Sequence, residues 1–257
     1  MYPDLFGIEG FSMTLMIILG AILAGIVVFI YLKHFKVKVN YLDLAIMIIF
    51  TVLIGIIFAI LFENGYELIQ AWAKGEKPHW TWAMTFYGGL IGGVGAFLLM
   101  YNLYYVKHNE SIIKDILKIA PCAIALGHGI GRIGCFLSGC CYGIETDAWF
   151  GIQFPGMDHK VIPTQLFEMI FLLVLALILG IMAFKQITHW QMVIYMFSYG
   201  IFRFIIEFFR GDERGQLEVG LSPSQYIAII MVVGAVGLIF LYNKVIFKKG
   251  EKIENAL

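Results

Sequence analysis

The stretch FSMTLMIILGAILAGIVVFIYL, residues 11–32, contains no Asp, Glu, Lys or Arg from end to end. The hydrocarbon layer of a bilayer is about 30 Å thick, so a helix needs about 20 consecutive apolar residues to cross it. Backbone polar groups find no water there, and a helix satisfies them within the segment itself. Residues 41–62, YLDLAIMIIFTVLIGIIFAILF, repeat the pattern with one acid, Asp43. Further candidate spans lie at 82–105, 120–139, 165–184, 190–209 and 222–243. The 120–139 span is the least regular, because it is rich in glycine and contains Arg132. The expectation is an all-α polytopic membrane protein of about seven transmembrane helices. Short interfacial helices are expected in its outer loops, and residues 1–257 are expected to form a single domain.

Composition agrees with this class. Apolar residues make up 60% of the chain and charged residues 14%, against about 25% charged in soluble domains. Mean hydropathy is +0.85. The net charge is zero, and no basic patch points to nucleic acid. There is no internal repeat and no low-complexity segment. No basic n-region or small-residue cleavage site precedes residue 11, so the first helix is expected to stay in the mature protein.

The charges are unevenly distributed. If the N-terminus lies outside, the cytoplasmic segments carry Lys33, Lys36, Lys38, Lys107, Lys114, Lys118, Lys185, Lys244, Lys248, Lys249 and Lys252. The outer segments carry Lys74, Lys77, Lys160, Arg210 and Arg214. The positive-inside rule then predicts N-out, C-in. The longest connections, 63–81 and 140–164, fall outside. The first holds Tyr66, Trp72, Trp80 and Trp82, which fit an interfacial aromatic belt or a short helix lying on the membrane.

The stretch GHGIGRIGCFLSGCCYG, residues 127–143, departs from this apolar background. A charge such as Arg132 at bilayer depth costs roughly 2.5–3.5 kcal/mol on insertion scales and needs a partner or a task. Apart from Asp43 near the start of its span, the other acidic, basic or imidazole side chains within spans are His128, Glu168, Arg203 and Glu207. Arg203 and Glu207 stand i, i+4 on one helix face and can pair. One reading makes them a salt bridge between helices. The other has Arg132 and Arg203 converge on a phosphate while Glu207 orients a guanidinium, whose planar fork suits phosphate oxygens. His128 is either a hydrogen-bonded packing residue or a general base. Tyr87, in MTFYGGLIGG, is either a belt aromatic or a headgroup hydrogen-bond donor. The glycines after it (Gly88, Gly89, Gly92 and Gly93) suit close helix packing.

Four cysteines complete the unusual residues: Cys122, Cys135, Cys140 and Cys141. Small apolar packing is the default for a buried cysteine. A disulfide near the outer face and a nucleophilic thiol served by His128 stay open. A metal site from Cys135, Cys140, Cys141 and His128 is not expected, because the spacing lacks paired C-x2-C ligands and adjacent cysteines rarely ligate one ion.

Several motifs, in order, carry a resemblance. GRIGCFLSGCCYG at 131–143, MTFYGGLIG at 84–92, IPTQLFE at 162–168, YGIFRFIIEFFR at 199–210 and GLSPSQ at 220–225 together resemble the prolipoprotein diacylglyceryl transferase family, bacterial membrane enzymes. Seven helices with an outside N-terminus suit it too. The resemblance implies transfer of the diacylglyceryl group of phosphatidylglycerol to the lipobox cysteine thiol of a lipoprotein precursor, with glycerol phosphate leaving. The implied partners are phosphatidylglycerol, the precursor's signal peptide and the bilayer, in the cytoplasmic membrane, with no cofactor and no metal. Arg132, Arg203 and Glu207 match the family's motif arginines and acid, and His128 and Tyr87 join them as candidate catalytic groups. Gly131, Gly134, Gly143, Gln165 and Glu168 fall on motif positions and are implied to bind substrate, together with Cys135 and Cys140. The chain departs from the family at several positions. Cys135 stands where asparagine is usual, Cys140 where glutamate is common, Tyr87 where histidine is usual, and His128 where glutamine is frequent. The phosphate side of the site therefore resembles the family, while the acceptor side differs. The alternatives are a related phospholipid-dependent transferase with another acceptor, or a non-catalytic lipid-binding protein.

Overall fold

The computed structural model describes residues 11–81, 86–103, 112–211 and 221–242. Among these residues it contains seven helices and no strand. They are α1 (Phe11–His34), α2 (Tyr41–Lys74), α3 (Phe86–Tyr101), α4 (Ile113–Leu137), α5 (Thr164–Phe184), α6 (Gln191–Glu207) and α7 (Pro223–Leu241). The protein is an all-α polytopic membrane protein. Five helices are long and apolar enough to cross a membrane: α1, Tyr41–Ile69 of α2, α4, α5 and α7. α3 and α6 are shorter, at 16 and 17 residues. Large apolar side chains such as Ile17, Ile22, Leu177 and Val233 lie on the outer faces, as lipid-facing surfaces require.

The chain divides into two compact units. The first contains α1 and α4 to α7. α4 packs against α1, α5 and α6, and α6 packs against α7. α4 is the least apolar of the five long helices and the most buried, with half of its central window inside the protein. Glycines make its contacts close. A Cβ at Gly20 of α1 would stand 2.7 Å from the Gly127 carbonyl oxygen of α4. Such small-residue contacts bring helix backbones together where lipid supplies no hydrophobic drive between helices.

The second unit contains α2 and α3, which pack together. Gly88 and Gly92 of α3 lie against Phe58 of α2, too close for any side chain. The packing reading of these glycines holds.

Three expectations are corrected. Residues 63–81 are not a connection with its own short helix. α2 instead runs on to Lys74 and ends at Gly75, whose φ of 69° closes the helix in the left-handed region. Asn64 ties the following segment back, accepting from Thr81 N at 2.9 Å and donating to the Thr81 carbonyl at 2.8 Å. The reason is local: ENGYELIQAWAK is mostly helix-forming, and the next glycine supplies the stop. Between α4 and α5 the chain forms isolated antiparallel bridges rather than an interfacial helix: Val161 pairs with Glu145 and Ile152, and Gly143 pairs with Arg210 just beyond α6. α4 also starts earlier than expected, at Ile113.

Candidate functional site

The site is built on α4, α5, α6 and the start of α7, all within the first unit. Arg132 on α4 reaches across to Glu168 on α5, with Nη2 2.8 Å from Oε1. The Glu168 side chain is fully buried. Its Oε1 also accepts the Tyr199 hydroxyl from α6 at 2.7 Å. His128, one turn before Arg132, places Nε2 3.7 Å from the same oxygen and its ring edge-on to Tyr199. A buried carboxylate is tolerable only when paired and hydrogen-bonded, and here three groups from two neighbouring helices surround it.

The second arginine is held differently. Arg203 Nη2 lies 2.8 Å from Glu207 Oε2 on its own helix, the pairing expected from the i, i+4 spacing. Arg203 Nη2 also donates to Ser224 Oγ at 2.9 Å. Ser222 Oγ donates to Glu207 Oε1 at 2.7 Å. Ser222 is the N-cap of α7, in a reciprocal capping box with Gln225. The start of α7 is thereby tied to the acid that holds Arg203. The two systems are linked through α6, which carries both Arg203 and, one turn earlier, the Tyr199 that binds the acid of Arg132.

Neither arginine is saturated by protein. Among the described residues, Arg132 Nε and Arg203 Nη1 are buried with no protein hydrogen-bond partner, as are Glu168 Oε2 and Gln165 Oε1. Buried donors without partners are costly, and native interiors leave few of them. Two guanidinium donors turned to no protein acceptor suit an anion from outside.

The cysteines form a cluster at the end of α4. The Sγ atoms of Cys135, Cys140 and Cys141 lie within 4.8 Å of one another. Arg132 Nη1 lies 3.9 Å from Cys135 Sγ, so the guanidinium bridges the Glu168 carboxylate and the thiols. Hydrogen bonding with Cys135 and Cys141, followed by burial, holds the Cys140 thiol above its ordinary range. That disfavours Cys140 as a thiolate nucleophile on its own. Cys122 is buried on α4, near Gly180 of α5.

The remaining candidates separate. Gln165 Nε2 donates to the Cys140 carbonyl at 3.1 Å, and Thr164 Oγ1 to the Cys141 carbonyl at 2.8 Å, so both brace the cysteine loop. Gly134 packs on α1, where a Cβ would stand 3.0 Å from Met13 Cα. Gly143 is enclosed by Ile162 and the Phe209 carbonyl. These two glycines serve close backbone approach. A Cβ at Gly131, unlike one at Gly134 or Gly143, would meet nothing within 4 Å, so open space lies at this position of α4. The Tyr87 side chain lies outside the described residues.

Sequence reasoning missed Tyr199, Thr164, Ser222 and Ser224, and it missed Glu168 as the partner of Arg132. Only Tyr199 and Glu168 carried even a partial signal. Tyr199 is one turn before Arg203 on the same face, and Glu168 was the one intramembrane acid not already paired. An apolar groove of about 450 Å³ lies between α5 and α6, lined by Phe167, Ile170, Phe171, Val174, Leu175 and Ile178 of α5 and Ser198 of α6.

With this geometry in place, comparison with known proteins decides the family. The family model for prolipoprotein diacylglyceryl transferase matches residues 5–241. The chain belongs to the prolipoprotein diacylglyceryl transferase family. It is 38% identical over 174 residues to phosphatidylglycerol–prolipoprotein diacylglyceryl transferase 2 of Clostridium perfringens, covering 65% of each chain. It is 37% identical over 170 residues to the Clostridium tetani enzyme of that name, covering 63% of this chain and 64% of that one. A Finegoldia magna relative of the same name is 31% identical over 260 residues, covering 97% of this chain and 98% of its own. The diacylglyceryl transferase family match takes in all seven described helices.

Proposed function

We propose that this chain takes the diacylglyceryl group of phosphatidylglycerol and transfers it to the cysteine thiol in the signal peptide of a lipoprotein precursor, releasing glycerol phosphate. The names of the relatives motivate the reaction. The observation that carries it is the pair of buried arginines, each fixed by a carboxylate and each with a donor left over. Arg132 and Arg203 clamp the phosphate, where negative charge grows as the leaving group departs. Glu168 and Glu207 orient the two forks, with Tyr199, Ser222 and Ser224 holding those acids and Arg203 in turn. His128 lies close enough to the Glu168 cluster to accept the proton of the incoming thiol. Gly131 leaves room for the headgroup beside Arg132. The apolar groove on α5 and α6 takes an acyl chain, which no water-filled pocket suits. Cys135 and Cys140 face the acceptor side, and Tyr87 contributes a headgroup hydrogen bond. The protein is multi-pass in the cytoplasmic membrane with its N-terminus outside, and its two units act as one transferase domain.

The test is complementation. Cells depleted of their own diacylglyceryl transferase are supplied with this chain, and lipidated precursor is measured by its mobility shift and by labelled lipid incorporation. Restored lipidation is the expected result. Good membrane expression with no lipidated precursor overturns the reading.

A further inference from the structure

Cys140 and Cys141 are neighbours in sequence, yet both thiols meet Cys135. Consecutive side chains on an extended backbone point to opposite sides. Here the backbone turns instead: Gly139 has φ 68° and Cys141 φ 66°. A left-handed conformation is uncommon for a residue with a side chain. The Cys140 N–H donates to the Cys135 carbonyl at 3.1 Å, closing the loop onto the end of α4. Thr164 and Gln165 of α5 hold the carbonyls of Cys141 and Cys140 from below. The loop is thus built from two helices so that three sulfur atoms converge. No disulfide joins them.

The sulfur separations suit a metal. Zinc–sulfur bonds of about 2.3 Å in tetrahedral array place sulfurs roughly 3.8 Å apart. The observed limit of 4.8 Å asks the loop to contract by about 1 Å. Charge is compensated as well. Three thiolates around a divalent cation leave one negative charge, and the Arg132 guanidinium stands 3.9 Å from Cys135 Sγ. Cys135 is buried while Cys140 and Cys141 are half-buried, so the cluster is accessible through the latter two. Three protein ligands with one open position is the arrangement of catalytic rather than structural zinc.

The geometry points to a three-thiolate site, Cys135, Cys140 and Cys141, for a soft divalent cation of the zinc class, its fourth position taken by the acceptor thiolate. This rests on the transfer reaction proposed above. The acceptor thiol loses its proton on coordination, as metal-bound thiols do, and His128 takes that proton as in the reaction proposed above. A lone pair of the bound sulfur then forms the C–S bond to the glyceryl carbon as the C–O bond to phosphate breaks. Glycerol phosphate leaves with that electron pair, its charge met by Arg132. The neutral thioether is a poorer ligand and departs.

The experiment uses the full chain in detergent with a phosphine reductant, which does not compete as a thiol. The protein is stripped with a chelator and titrated with Co(II), a coloured stand-in for zinc. One Co(II) per chain is expected, with near-ultraviolet sulfur-to-cobalt charge transfer and visible bands of tetrahedral type. Cys140→Ser and Cys141→Ser, which leave the buried Cys135 in place, abolish these bands while far-ultraviolet circular dichroism stays unchanged. A peptide carrying the acceptor cysteine shifts the visible bands, and the same peptide with serine does not. Absence of the bands, or their persistence in the double variant, overturns the site. Bands that ignore the cysteine peptide overturn the open position. Transfer at full rate by stripped protein also overturns the inference but leaves the transferase reading standing. Bound metal and peptide with no lipid transfer count against the transferase reading alone.

Discussion

Glu168 is the residue on which the site converges, since Arg132, Tyr199 and His128 from two other helices all address its Oε1. Glu168→Gln removes the counter-charge and frees Arg132 to reorient, so transfer should fall by at least about 100-fold, on the scale of losing a fixed electrostatic contact. Tyr199→Phe deletes one hydrogen bond to a charged group, about 1.5 kcal/mol, and should cost about tenfold. Labelled lipid transfer in membranes, normalised to protein level, separates the two; equal effects would remove Glu168 from its central place. Arg203→Lys keeps the charge but cannot span Glu207, Ser224 and a phosphate with one planar fork. Its transfer should fall by about 100-fold or more with the folded protein unchanged in amount. Full activity in this variant would refute the clamp. The Arg203–Glu207 pair is legible in the sequence, because four residues of helix bring the two side chains to one face. The Arg132–Glu168 pair is not, since 36 residues and a loop separate them and only the packing of α4 on α5 makes them neighbours.

At the scale of the element, α7 shows how a helix cap enters a site. Ser222 accepts from Gln225 N at 3.3 Å and donates to Glu207 at 2.7 Å. Ser222→Ala should lower stability by about 1 kcal/mol through the lost cap. It should also reduce transfer several-fold through a misplaced Glu207, whereas Ser222→Asp should restore the cap but not transfer. Thermal unfolding in detergent and the transfer assay, run side by side, check both halves. The α1–α4 contact is tested by Gly20→Leu, which drives a side chain into the Gly127 carbonyl. Overpacking of this kind costs typically 1–3 kcal/mol, read as a lower unfolding midpoint, and an unshifted midpoint would deny the contact. Helix positions were mostly readable from apolar runs. Helix ends were not. The end of α2 was misplaced because interfacial residues such as Tyr66 and Trp72 break the apolar run without breaking the helix.

For the whole molecule, orientation follows from where the lysines fall. The lysines near the end of α1 and in the C-terminal segment should face the cytoplasm, and residues 138–163 should face outward, by the positive-inside rule. Tags placed after Lys36 and within 156–159 should be protease-protected and protease-accessible, respectively, in intact cells. The reverse pattern would invert the topology. The sequence by itself determined the class, the approximate number of helices and the residues that carry charge into the membrane, because hydropathy over about 20 residues is a local property that the bilayer reads directly. It also held the motifs from which the family resemblance was drawn. Only the tertiary structure decided which acid serves which arginine, that Gly134 and Gly143 are contact points, that Gln165 braces a loop, and that three cysteines meet. Those facts depend on helices far apart in the chain packing side by side. They also depend on two left-handed residues after α4, whose turn no periodicity announces.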